Sequence, residues 1–133
     1  MRARLLAVVP MLLALSACRS GDRALPAEYR NVAVPDVWLA SPAAAKRGAA
    51  LFAQYCTLCH GTRGDGQGLQ REGLRPPPRD FTDPAWRAST TTKQVYFAIR
   101  EGVKGTAMPS WKSLTEQDDW ALTGYVLSLA PPK

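Results

Sequence analysis

Three side chains able to bond a metal or an unsaturated carbon stand together in the run Cys56-Thr57-Leu58-Cys59-His60. Positions three or four apart share one face of a helix, so a single turn aims Cys56, Cys59 and His60 at one object. The two thiols can bond covalently at two points on one edge of that object, while the adjacent imidazole reaches a metal. His60 is the sole histidine of the 133 residues, and it occupies the position this arrangement requires.

Other uses of these residues fit poorly. A redox-active Cys-x-x-Cys lies beside a βαβ pattern, and no such pattern is visible here. A structural zinc site needs four ligands, and no second Cys or His pair is present. A Cys56–Cys59 disulfide would close too small a loop to stabilise much. Cys-x-x-Cys-His is the attachment pattern for a c-type haem, which makes His60 the proximal iron ligand. For the opposite side of the iron, Met1 and Met11 fall in a leader, leaving Met108 as the one methionine of the mature chain. Gly105-Thr106-Ala107-Met108-Pro109 reads as a flexible loop able to fold over the far face of the haem. The alternative is a loop methionine packed as core filler.

The third cysteine has a different setting. Arg2 and Arg4 precede an apolar run, Leu5 to Ala17, broken only by Pro10 and Ser16. That is the length of a signal-peptide core and too short to span a bilayer. Leu15-Ser16-Ala17-Cys18 looks like the bacterial lipobox, cut before a cysteine that has received a diacylglycerol. An ordinary secretory signal cut at Ser16 or Ala17 is the alternative. Acyl chains hold a soluble domain on a membrane by ~0.8 kcal/mol per buried CH₂. The expected organisation is a lipoprotein signal peptide at 1–17, a lipid-anchored tether at 18–41, part of which can dock on the domain through Val32, Val34, Val37 and Trp38, and a folded domain at 42–133. The expected location is extracytoplasmic, on the periplasmic face, tethered by lipid on Cys18.

The formal net charge is +6, and removing Arg2 and Arg4 with the leader leaves 15 basic and 11 acidic side chains, a net of +4. Arg63, Arg71, Arg75, Arg79 and Arg87 are interleaved with Asp65, Glu72, Asp80 and Asp83, the pattern of a solvated mixed face. No nucleic-acid motif or aromatic platform accompanies the charges, so nucleic acid is not an expected partner.

The elements that must position these residues are helical. Ser41 is a plausible N-cap with Pro42 in the first helical position, and Ala44, Ala45, Gly48, Leu51, Phe52 and Tyr55 recur at helical spacing up to Cys56. From Gly61 to Ser89 the chain is rich in Gly, Pro, Arg and Asp and reads as one long loop. Thr91 and Gln94 form a capping-box pattern before Val95, Tyr96 and Ile99, with an end near Gly102. Thr115 and Asp118 start a last helix carrying Ala121, Leu122, Tyr125, Val126 and Leu129 until Pro131. The fold class is all-α. Its core is thin enough to need a cofactor or another staple.

From Ala43 to about Leu129 the chain resembles a class I cytochrome c, in its attachment motif, its methionine loop, and Gly48 and Phe52 facing Tyr125 where the terminal helices cross. Gly124 is expected to support that crossing. The resemblance implies a cytochrome c fold of three or more short helices and long loops wrapped around one covalent haem c. It also implies one-electron transfer between extracytoplasmic redox proteins, without enzymatic turnover or a small-molecule substrate at the iron. It puts Pro77, within the Pro76–Pro78 run, beside His60 as the source of a carbonyl for the imidazole. Arg79 is a candidate propionate partner, and Trp111 is a haem-edge residue, a propionate donor through its indole N–H, or simple core. Lys104 and Lys112 flank the methionine loop and are expected to steer an acidic partner. A freestanding tethered carrier, a dedicated subunit of a respiratory dehydrogenase, oxidase or reductase, and a haem sensor with a labile Met108 all stay open.

Overall fold

The computed structural model describes residues 20–130, which contain helices and no strand. After a 3₁₀ turn at Ser20–Ala24 come α1 (Ala27–Arg30), α2 (Asp36–Leu39), α3 (Pro42–Tyr55) and α4 (Thr57–His60), followed by α5 (Pro84–Ser89), α6 (Thr92–Glu101) and α7 (Glu116–Ser128). Cys18 and the expected leader lie outside the described residues.

Helix starts follow the local chemistry. The Ser41 side chain accepts from the Ala44 N–H at 3.1 Å, and Pro42 fills the position where a missing N–H costs nothing. Thr91 and Gln94 make both halves of a capping box. The Thr115 hydroxyl accepts from the Asp118 N–H at 3.2 Å.

Helices α3 and α7 cross with backbones in contact. A Cβ on Gly48 would stand 2.2 Å from the Ala121 carbonyl oxygen, so only glycine permits this approach. Beside the crossing, the Phe52 and Tyr125 rings lie 5.3 Å apart. Gly124 does not support the crossing: its nearest neighbour is the Leu39 side chain, at 3.0 Å from a built Cβ. The main core gathers Leu51, Phe52, Val95, Ile99, Leu122 and Val126.

Two stretches differ from expectation. The tether anticipated over 18–41 is structured from Ser20 onward: Val32, Val34 and Trp38 dock, as their apolar character suggested, and Leu25 and Tyr29, which were not anticipated, bury against Tyr96 and Trp120 in a second apolar cluster. The Tyr29 hydroxyl also donates to Glu101. Tyr29 sits in a helix of only four residues and Leu25 in none, so no helical period marks them. The loop expected from Gly61 to Ser89 contains α5, where the Asp83 side chain accepts from the Ala85 N–H at 2.8 Å and Pro84 opens the helix. No described helix is long and apolar enough to cross a membrane.

Candidate functional site

Helix α3 delivers the chain directly into the turn that carries Cys56, Cys59 and His60. The carbonyls at the end of that turn have no partner within a helix this short, and the glycine-rich loop supplies them. Gly66 N–H donates to the His60 carbonyl at 2.8 Å, Gly68 N–H to that of Cys59 at 3.1 Å, and Gln70 N–H to that of Leu58 at 2.8 Å. Gly68 comes so close that a Cβ would meet the Leu58 carbonyl at 2.3 Å. The same loop ties down the next segment, through Phe81 N–H to the Gly64 carbonyl at 2.7 Å.

That segment orients His60. The imidazole Nδ1 lies 3.0 Å from the Arg79 carbonyl oxygen, which can only accept, so Nδ1 carries the proton. The Phe81 ring stacks on His60 at 4.4 Å and 22°. Burial lowers the His60 pKa against the opposing pull of the Arg79 carbonyl, so the ring is neutral and its Nε2 keeps a lone pair for a metal. The carbonyl partner was expected within Pro76–Pro78 and comes one residue later. The chain passes closely under Gly66, where a Cβ would stand 2.8 Å from the Pro78 oxygen, and the next carbonyl faces the histidine.

Cys56, Cys59, His60 and Met108 all line one cavity of about 700 Å³, together with Pro77, Arg79 and Trp111. Its walls are mostly apolar and include Val95, Ile99, Leu122 and Val126 from the core. Met108 is half-buried, and its carbonyl accepts from Val103 N–H at 3.2 Å, which closes the loop after α6 on itself. A side chain on Gly102 would meet that carbonyl at 2.7 Å, and Gly102 has φ +71°, so glycine is required twice over. Trp111 is half-buried with its ring 5.0 Å from that of Tyr55, and its backbone N–H donates to the Ile99 carbonyl at 3.0 Å. Pro77 and the Arg79 residue as a whole are exposed at the cavity's edge.

Sequence reasoning missed two parts of this site. Phe81 and Trp86 line it from a loop and from α5, where no periodicity marks them. Ala24 and Leu25 line it from the segment anticipated as tether. Lys112, expected to steer a partner, pairs with Glu101 at 2.7 Å, and both it and Lys104 are exposed.

The donor set fits a covalent haem. Two unlinked thiols, a neutral imidazole with a free nitrogen and a thioether converge on an apolar space within the ~300–1,000 Å³ usual for cofactor sites. Burial pushes the Cys56 thiol up to about 12, helped by the neighbouring Cys59 charge, so it is held as thiol and not thiolate.

The family described as cytochrome c oxidase, cbb3-type, subunit III matches residues 43–126. Cytochrome c55X of Stutzerimonas stutzeri is 36% identical over 89 residues, covering 62% of this chain and 67% of that protein. The cbb3-type cytochrome c oxidase subunit FixP of Azorhizobium caulinodans is 36% identical over 87 residues, 65% of this chain but only 27% of that protein. Among solved structures, the KustC0563 c-type cytochrome aligns with a TM-score of 0.52 at 29% identity, over 63% of this chain and 98% of that one. The match across most of the folded region, read with a haem-attachment turn set into a cavity of suitable size, places the chain in this cytochrome c family, as an electron-transfer protein with covalent haem c.

Proposed function

We propose that the protein is a single-haem electron carrier, not an enzyme, working outside the cytoplasm and held to a membrane by diacylglycerol on Cys18. Cys56 and Cys59 form the two thioethers, and His60 and Met108 are the axial ligands. The observation that carries this reading is the convergence of all four side chains on one cavity. Haem iron supplies a one-electron couple, whose potential is raised by Met/His ligation. Around it, the Arg79 carbonyl holds the His60 proton on Nδ1, and Phe81 fixes the plane of the ring. The core residues of α6 and α7 exclude water from the site. Arg79 and Trp111, at the margin of the cavity, are suited to a propionate by guanidinium and indole N–H.

The test is the absorption spectrum of the holoprotein, oxidised and reduced. A far-red sulfur-to-iron band that disappears in Met108→Ala is the expected result. Covalent haem without that band, together with ready binding of carbon monoxide by the reduced protein, would replace the carrier by a ligand-binding sensor.

A narrower reading, a dedicated subunit of a respiratory complex, is favoured by one feature of the surface. Leu58, Val103 and Tyr55 are 50%, 43% and 37% exposed on or beside the attachment turn and cavity, an apolar margin suited to a permanent partner. Co-purification of a stoichiometric membrane complex would support it, and isolation of the cytochrome alone from gently solubilised membranes would count against it.

A further inference from the structure

The chain on the way to Cys18 leaves the folded domain at a defined place. The 3₁₀ turn beginning at Ser20 is clipped to the start of α6: Gln94 donates from Nε2 to the Gly21 carbonyl at 3.0 Å, and the Thr91 hydroxyl bonds Asp22. Arg19 is the one residue between Cys18 and Ser20. Two Cα steps reach at most ~7 Å, so a lipid on Cys18 would hold Ser20 within about that distance of its attachment point.

The surface at that exit is basic. Arg23 and Arg30 are exposed, the Arg30 guanidinium lies 3.5 Å from the Arg23 carbonyl, and Lys93 reaches the Arg30 carbonyl from the first turn of α6. Against these stand Glu28, which is exposed, and Asp22, which is engaged with Thr91. The cavity has a wall here too, through Ala24, Leu25, Thr90 and Gln94. The methionine loop lies at the other end of α6, a helix of ten residues and so ~15 Å long.

We infer that the face formed by Ser20–Arg30 and the first turn of α6 lies against an anionic lipid surface. This fixes the domain's orientation, with the Met108 loop and Lys104 turned away from the bilayer toward a soluble partner. The inference rests on acylation of Cys18. A short leash and a basic exit favour one bound pose, where a long tether would allow all of them.

Acetylation of lysines in the full-length holoprotein tests it, with Lys93 and Lys104 marking the two ends of α6. The protein is compared in phosphatidylglycerol vesicles and in detergent, and the same digest gives the mass of the N-terminal peptide. The expected result is several-fold protection of Lys93 in vesicles with Lys104 unchanged. A flexible Gly-Ser insert between Arg19 and Ser20 should restore Lys93 labelling, as should Arg23→Glu with Arg30→Glu. An acylated Cys18 with Lys93 labelled equally in both settings would overturn the oriented face and leave the lipid anchor standing. An unacylated Cys18 would overturn both.

Discussion

Cys56 and Cys59 share one turn and meet different surroundings. Cys56 is 9% exposed with its thiol pushed up to about 12 by burial, while Cys59 is half-buried. Asp119 is the other residue governed by its setting. It is fully buried and ion-paired with Arg100, and burial raises its pKa to about 6 despite that partner. Between the ordinary 3.8 and about 6 the folded state holds a proton that the unfolded state has lost. Stability from this group is therefore complete below the lower value and declines as pH rises, by about 3 kcal/mol in all. Asp65, Asp118 and Glu101 are depressed carboxylates and act in the opposite sense, losing stability as pH falls. Melting temperature against pH for Asp119→Asn should lack the decline that the parent chain shows in this window, relative to those shared effects. The attachment residues themselves were legible from spacing alone, because their chemistry is local. Asp119 was not, because burial is a property of neighbours distant in sequence.

Helix boundaries were legible wherever a cap is made by adjacent residues, as at Ser41, Thr91 and Thr115. The Asp83-Pro84 start of α5 carried the same signal inside a stretch whose glycines and prolines masked it. Which glycine serves the α3–α7 crossing was decided only by packing. Gly48→Ala drives a methyl into the Ala121 carbonyl, with Tyr125 Cβ at 2.7 Å as the next obstacle, and neither backbone can yield freely. Denaturant unfolding of the holoprotein should show a loss of about 1–3 kcal/mol. Gly124→Ala meets only the movable end of Leu39, and alanine is the better helix former, so the change should stay within about 1 kcal/mol. Equal losses at the two positions would contradict this account of the crossing.

At the scale of the whole molecule, the cavity is the centre about which the helices and loops are arranged, and the core residues of α6 and α7 are also its walls. Left unfilled, this cavity of about 700 Å³ exposes to water the apolar core side chains that line it, so the chain without haem forfeits much of the burial that holds it together. A chain made unable to attach haem, Cys56→Ala with Cys59→Ala, should therefore keep much of its far-ultraviolet helix signal. It should lose near-ultraviolet dichroism and a cooperative calorimetric transition. The sequence by itself determined the all-α class, the three capped helices and the haem-attachment turn, since each rests on residues within one or two turns of each other. Only the tertiary structure decided that Arg79 supplies the carbonyl to His60, that Phe81 covers the imidazole and that Lys112 is paired with Glu101. It alone also joined Leu25 and Tyr29 to the domain. Those contacts link segments whose own sequences carry no period or motif, and they form when apolar surface from several parts of the chain is buried together.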